Sequence, residues 1–104
     1  MTTELARSHN KSETIQAVAP GTTQTITTSG SSAAISTAFA TGTTVVRIVA
    51  TEDVNIKFGS APTATTNDPF VPANQVEYFK VTAGEKVAAI QNSAAGTCYV
   101  TEME

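Results

Sequence analysis

Apolar and polar residues alternate along most of this chain in short runs that are separated by turn residues. The runs cover residues 13–19, 22–28, 33–39, 43–51, 54–58, 76–81, 86–91 and 97–102. In the clearest runs the alternation has a period of two, which is typical of β-strands, and no longer run has the apolar period of a helix. We therefore predict an all-β fold, an antiparallel β-sandwich or jelly-roll-like barrel of about eight short strands.

The strongest alternation lies in two neighbouring runs, TTVVRIVAT at 43–51 and VNIKF at 54–58. The residues Thr51, Glu52 and Asp53 between them indicate a tight turn. Alternation in both arms around a short turn predicts a β-hairpin. The acidic pair is then a hairpin tip, where an Asp bonds its own backbone.

The N-terminal end differs in character from the rest of the chain. Residues 1–12 are polar and lack periodicity, so we predict a flexible N-terminal arm at 1–12 and a single β-sandwich domain at 13–104. Leu5 and Arg7 are the candidate interaction residues of the arm. After the first run, Pro20 and Gly21 suit the central positions of a type II turn.

A long irregular insert, FGSAPTATTNDPFVPANQVEYF, occupies residues 58–79. Its first half is polar and predicts an exposed crossover. Its second half contains Pro69, Phe70, Val71 and Pro72, in which two rigid residues bracket two apolar ones. Two interpretations of this apolar anchor stay open. It folds back to plug the end of the sandwich, or it packs on a neighbouring subunit, where a buried aromatic is a candidate hot spot.

Composition narrows the classes of partner. Charged residues make up 14% of the chain, against roughly 25% in typical soluble domains, and Thr, Ala and Ser fill the difference. Low surface charge favours contact with a partner. The net charge is −3 and the six basic residues are scattered, so we expect no direct binding of nucleic acid. No apolar stretch is long enough to span a membrane, and MTTELARSHNKS lacks an apolar signal region, which predicts synthesis in the cytosol.

Residues with catalytic or metal-binding chemistry are few. His9 lies in the arm, which cannot hold a general base in place, and Cys98 lies in a strand, where we interpret it as a small buried hydrophobe. One Cys and one His are too few for structural zinc. Glu52, Asp53 and Asp68 are the candidates for a calcium site, although the turn interpretation explains the first two. We expect no enzyme activity, no cofactor and no metal.

Beyond these patterns, the C-terminal part of the chain resembles a known group of proteins. The segments VVRIVATEDVNIKFGSAPTAT, FVPANQVEYFKVTAGEKVAAIQ and GTCYVTEM, spread over residues 43–103, are similar to small virion structural proteins of tailed bacteriophages. The resemblance implies a β-rich module that is present in many copies in the particle. Its first implied function is a capsid decoration (cement) protein, and a head–tail connector or a tail or fibre accessory protein remain as alternatives.

A decoration protein binds the assembled shell better than its free subunits and so stabilises the shell by mass action. The implied partner is the major capsid protein or another virion protein. We also expect a homo-oligomer, with a trimer as the first guess, because closed symmetry covers exposed strand edges. The implied location is the virion, after synthesis in the host cytoplasm.

An alternative from another class is a small module that binds a ligand or a glycan. Such a module needs a pocket lined by aromatic and polar groups. The chain has two Tyr, four Phe and no Trp, which is few for such a pocket. The sequence therefore favours the virion structural protein over the binding module.

Overall fold

The described part of this protein is built from β-strands. The computed structural model describes residues 6–7, 14–15 and 19–103. The strands are β1 (Ala6–Arg7), β2 (Thr14–Ile15), β3 (Pro20–Thr27), β4 (Ala33–Ala34), β5 (Val45–Ala50), β6 (Val54–Gly59), β7 (Phe70–Val71), β8 (Glu77–Lys80), β9 (Lys86–Gln91) and β10 (Thr97–Met103). These ranges contain no helix, and therefore no helix that could cross a membrane. The all-β prediction is confirmed.

Eight of the strands form two antiparallel sheets that pack face to face. Sheet I has the order β3-β10-β5-β8, and sheet II has the order β4-β9-β6-β7. Four ladders are nested along the chain, because β3 pairs with β10, β4 with β9, β5 with β8 and β6 with β7. A long antiparallel ribbon rolled into two facing sheets has this nesting, which is the topology of a jelly roll. The predicted sandwich is therefore observed, in its jelly-roll form.

The hydrophobic core lies between the two sheets. In β5, buried residues alternate with partly exposed ones, so that Val46, Ile48 and Ala50 point inward. Full burial of a Val or Ile side chain stabilises the fold by roughly 1.5–3 kcal/mol. The buried core residues are Ile26, Ile35, Phe39, Val46, Ile48, Ala50, Val54, Ile56, Val71, Val81, Val87, Ala89, Cys98 and Val100.

Three phenylalanines from different parts of the chain meet at this core. The ring of Phe58 lies 6.4 Å from that of Phe39 and 5.5 Å from that of Phe79, measured between centroids. Both pairs are tilted, an arrangement that aromatic rings prefer over face-to-face stacking. The cluster joins β6 in sheet II to β8 in sheet I and to the segment after β4.

The predicted hairpin between residues 43–51 and 54–58 is wrong. β5 pairs with β10 and β8, whereas β6 pairs with β9 and β7, so residues 51–53 carry the chain from sheet I to sheet II. The apolar faces of the two strands therefore oppose each other across the core. Alternation with period two separates the two sides of a strand. The same alternation is expected whether the two strands pair in a hairpin or lie in different sheets, so it could not distinguish these arrangements.

The predicted turn at Pro20 and Gly21 is also wrong, because both residues belong to β3. Pro20 is the first residue of that strand, a position where its missing N–H costs no ladder bond. Of the predicted arm at 1–12, only Ala6 and Arg7 are described, and they pair with Ile15 and Thr14. The rest of the arm lies outside the described residues.

The insert after β6 covers the outer face of sheet II. The N–H of Ala64 donates to the hydroxyl of Ser32 at 2.8 Å, next to β4, and the Asn55 amide on β6 donates to the carbonyl of Asp68 at 2.8 Å. Residues 60–69 thus cross the sheet from β6 towards β4 and return to β7. Ala64 and Ala88 are buried but do not belong to the core between the sheets. The prediction of an exposed crossover is wrong at Ala64.

Candidate functional site

The proline-bracketed anchor is divided between the core and the surface. Val71 is only 1% exposed and belongs to the core, as the plug interpretation predicts, whereas Phe70 is 50% exposed. Both form β7, in which Val71 lies opposite Val54 and Phe70 opposite Asn55. Consecutive strand residues point to opposite faces, so one residue is available for the core and the other for a partner.

The flanking prolines sit at the ends of this two-residue strand. The carbonyl of Pro69 accepts the N–H of Ile56 at 2.9 Å, which continues the pairing of β7 with β6. Pro69 is exposed and Pro72 is half-buried. Of the candidate interaction residues in the anchor, Pro69 and Phe70 are accessible and Val71 is not.

The candidate residues of the arm are not brought to the anchor by any described contact. Leu5 lies outside the described residues, as does His9. Arg7 is described through its backbone, which pairs with Thr14 in β1 and β2. The interaction role of Leu5 and Arg7 stays a prediction.

Sheet I presents an outer face that no described segment crosses, and we name it the open face. It consists of the side chains of sheet I that point away from the core. Its most exposed large residues are Tyr78 at 58% and Tyr99 at 40%, and Val76, just before β8, is 44% exposed. The other described residues of the open face are Thr23, Thr25, Thr27, Val45, Arg47, Val49, Lys80, Thr97, Thr101 and Met103, of which Thr101 and Met103, at the C-terminal end of β10, are buried.

The strand register places the larger side chains of the open face next to one another. Tyr99 on β10 lies opposite Val49 on β5, and Arg47 on β5 lies opposite Tyr78 on β8. Directly opposed residues have Cβ atoms about 4.5–5.5 Å apart, which is close enough for their side chains to interact. The open face thus carries a continuous group of two tyrosines, a valine and an arginine. Tyr and Arg are the residue types enriched at binding hot spots.

A row of threonines lies beside this group. Tyr99 has Thr25 of β3 as its other neighbour, and Thr101 lies opposite Thr23. The hydroxyl groups of Thr23 and Thr101 are hydrogen bonded at 2.9 Å. Threonines of this kind keep one side of the open face uncharged and flat.

The open face is positive although the protein is negative overall. Among the described residues it carries Arg47 and Lys80 and no carboxylate. Glu102 on β10 points the other way and is buried. Its Oε1 accepts hydrogen bonds from the Thr43 hydroxyl at 2.6 Å and the Ala40 N–H at 3.1 Å. An acidic partner surface therefore fits the open face better than a basic one.

The acidic residues proposed for calcium do not converge. Asp53 Oδ1 accepts the N–H of Ala73 at 2.7 Å, and Asp68 Oδ2 accepts the N–H of Thr65 at 2.7 Å. Both carboxylates thus fasten the backbone of the insert, and within the described ranges no three potential metal ligands cluster. The hairpin-tip interpretation of Asp53 is wrong, since its bond reaches a distant segment.

Cys98 is fully buried in the core of the sandwich. Burial raises the pKa of its thiol from 9.0 to about 11, because a thiolate is poorly solvated there. A thiol of this kind is unreactive at neutral pH. The interpretation of Cys98 as a small buried hydrophobe is confirmed.

Comparison with known proteins adds no relative. No protein-family model, no curated protein and no solved structure matches this chain. The jelly roll itself occurs in capsid, lectin and cupin proteins, so the fold alone does not select a function.

The residues of the open face were missed in the sequence, although a signal was present. In VEYFKV, the alternation separates Tyr78 from Phe79, and in TCYVTE it separates Tyr99 from Cys98. Period two thus places each tyrosine on the side opposite to the core. What it cannot show is that β10 and β8 both flank β5, which brings Tyr99 and Tyr78 onto one surface.

Proposed function

We propose that this protein is a non-enzymatic structural component of a tailed-bacteriophage virion, and that it decorates and stabilises the assembled head. The observation that carries the proposal is the open face, where Tyr78, Tyr99 and Val76 are exposed beside a fully packed core. Exposed apolar groups of this kind mark sites of contact with other macromolecules. The resemblance of residues 43–103 to small phage virion proteins supports the choice of partner.

The open face acts as a docking surface for the major capsid protein or for another virion protein. Its tyrosines supply contact area at a low cost in side-chain entropy, and Arg47 and Lys80 attract an acidic surface. Phe70, on the edge of sheet II, supplies a second contact. Binding to the assembled shell, and not to free subunits, shifts the equilibrium towards the shell.

The size of the open face sets how strongly one copy binds. Four strands spaced about 4.8 Å apart and roughly 20 Å long give a face of roughly 400 Å². A stable protein interface buries about 800 Å² on each partner. One open face is therefore a weak contact, and a homo-oligomer that presents several faces together binds by avidity.

The first test is the protein content of purified phage particles. A copy number comparable with that of the major capsid protein supports decoration of the head, whereas a copy number that matches a single ring at the portal supports a connector. Absence of the protein from the particle contradicts the proposal.

The second test compares particles that lack the protein with complete particles. We expect the particles without it to release their DNA at a lower temperature or a milder osmotic shock. Adding back the purified protein restores resistance, and a Tyr78→Ser, Tyr99→Ser variant does so poorly. Equal resistance of the two kinds of particle contradicts the stabilising role.

A further inference from the structure

The two sheets have four edge strands, and three of them are poorly suited to pairing with another chain. β4 and β7 have two residues each, and β7 is bracketed by Pro69 and Pro72. β8 carries Glu77 and Lys80. Short strands, prolines and charges are the devices by which proteins protect sheet edges.

The fourth edge, β3, has none of these devices along its length. It has eight residues, PGTTQTIT, with its proline in the first position and no charged side chain. Within the described residues β3 has a neighbour on one side only, which is β10. A long, uncharged edge of this kind is a template for a further strand.

The direction of the free backbone groups of β3 follows from one hydrogen bond. The N–H of Thr28 donates to the carbonyl of Gly96, which precedes β10, at 2.8 Å. Because backbone groups alternate in direction along a strand, the even-numbered residues of β3 face β10. The N–H and C=O groups of Thr23, Thr25 and Thr27 therefore point away from the sheet.

The side chains of β3 suit a second copy of the same strand. When two identical strands pair antiparallel about a two-fold axis, each residue faces a residue of the same segment, so any charge meets a like charge nearby. Residues 20–28 have no charged side chain, and this repulsion does not arise. With Thr25 at the axis, Thr23 faces Thr27 of the second copy, and cross-strand Thr pairs are favourable.

We propose that two copies of this chain associate through antiparallel pairing of β3 with β3 of the second copy. The pairing joins the two copies of sheet I into one continuous sheet, and their open faces then lie side by side. The two β10 strands, which carry Tyr99, are three strand spacings apart, roughly 14 Å. The joined open faces cover roughly 800 Å², the area of a standard interface on one partner.

The pairing of β3 with β3 is tested on the isolated chain of residues 1–104, without phage particles. Sedimentation equilibrium should show a reversible dimer. A chain that sediments as a monomer at all concentrations, or as the trimer guessed from the sequence, overturns the proposal. Either result leaves the virion test unaffected, because that test measures particles.

A proline substitution on the outward side of β3 locates the contact. Thr25→Pro removes an N–H that points away from β10, so it leaves the ladder with β10 intact and should weaken the dimer by at least roughly tenfold. Thr25→Val, which keeps the backbone and the branched shape, should dimerise as well as the wild type. Equal dimerisation of Thr25→Pro and Thr25→Val overturns the proposal.

Two further variants show whether a loss of dimerisation comes from the β3 contact or from the effect of proline on the fold. Thr25→Lys, which places like charges near the axis without constraining the backbone, should also weaken the dimer. Lys80→Pro is the control on the other edge of sheet I. The N–H of Val81 donates to Thr44 at 2.8 Å, so the N–H of Lys80 points outward, and this variant should dimerise normally. Loss of the dimer in Lys80→Pro but not in Thr25→Lys places the contact on β8 and overturns the proposal.

Hydrogen exchange of the wild-type chain tests the pairing without any substitution. The amides of Thr23, Thr25 and Thr27 should exchange at least roughly tenfold more slowly as the concentration rises through the dimerisation range, because pairing buries them in a ladder. The amides of Tyr78 and Lys80 should not change. A dimer that leaves the three threonine amides unprotected forms through another surface and contradicts the proposal.

Discussion

The outer faces of the two sheets differ although both belong to one small sandwich. On sheet II, residues 60–69 cross the strands, bury Ala64 and Ala88, and are fastened by hydrogen bonds to Ser32 and Asn55. On sheet I, no described segment crosses, and Tyr78 and Tyr99 lie exposed. Ala64 and Ala88 are buried at the crossover, whereas Tyr78 and Tyr99 are exposed on a face that no described segment crosses.

This difference separates two uses of an outer face. The covered face of sheet II contributes to folding stability, because its alanines and amides are packed or hydrogen bonded within the chain. On the open face of sheet I, the exposed side chains of Tyr78 and Tyr99 contribute little to stability and are available for another molecule. Substitutions on the covered face of sheet II should therefore mainly lower the free energy of unfolding. Substitutions on the open face of sheet I should mainly weaken association with another molecule.

The largest expected effect is at Ala88, beneath the crossover. Ala88→Lys places a charge where the side chain is fully buried and should destabilise the fold by at least about 3 kcal/mol. Its register partner Ala34 is exposed on the same sheet, so Ala34→Lys is the matched control and should change stability by less than about 0.5 kcal/mol. Urea unfolding measures both, and similar values would show that sheet II is not covered.

The next largest effect is expected in β7, where truncation of the two residues should change stability by different amounts. Val71→Ala removes two buried carbon atoms and should cost about 2 kcal/mol of unfolding free energy. Phe70→Ala should cost less than about 0.5 kcal/mol, because Phe70 is already 50% exposed. Thermal unfolding of both variants checks the division between core and surface. A larger loss of stability in Phe70→Ala than in Val71→Ala would show that Phe70, and not Val71, is the core residue of β7.

The pH dependence of stability tests the burial of Cys98, which lies on the core side of β10, next to the outward-facing Tyr99. Its pKa in the folded protein, about 11, is above the ordinary value of 9.0, so the folded state holds the proton more tightly than the unfolded state. The stability gained from this shift is complete below pH 9 and is lost as the pH rises through 11, by roughly 2.7 kcal/mol in all. The free energy of unfolding, measured with urea from pH 8 to 11, should therefore fall more steeply for the wild type than for Cys98→Val. Equal slopes would show that the thiol is solvated.

A smaller effect is expected where the crossover is fastened to sheet II. Ser32→Ala removes the acceptor of the Ala64 N–H and should cost about 1 kcal/mol. It should also speed hydrogen exchange at Ala64, since the covering segment opens more often. Ser36→Ala, at an exposed serine on the other side of β4, is the control. Unchanged exchange at Ala64 in the Ser32 variant would mean that packing alone holds the cover.

The smallest effect on stability is expected on the open face. Tyr99→Thr keeps a strand-forming residue and removes a ring that is 40% exposed, so stability should change by less than about 0.5 kcal/mol. The same variant should bind phage heads measurably less tightly in a cosedimentation assay. If Tyr99→Thr binds phage heads normally but is less stable than the wild type, the open face contributes to folding and not to binding, which contradicts the prediction.

Much of the core was predictable from alternation alone. Alternation in the run 43–51 separates Val46 and Ile48 from Arg47, and these two residues lie in the core; Val71, from the apolar pair in the insert, lies there too. The hairpin at 51–53 and the exposed crossover could not be judged in this way. Both depend on which strand or segment lies nearby in space, and residues such as Ser32 and Ala64 are far apart in the chain.

The sequence by itself determined that this chain is built from short β-strands, because a period of two separates two sides in the clearest runs. Only the tertiary structure decided how the strands pair, which outer face another described segment crosses and which strands form the edges of the described sheets. The reason is physical: alternation records the burial of each side chain, whereas strand order depends on contacts between distant segments. The open face forms, and β3 becomes an edge strand among the described residues, only once β10 has been placed between β3 and β5.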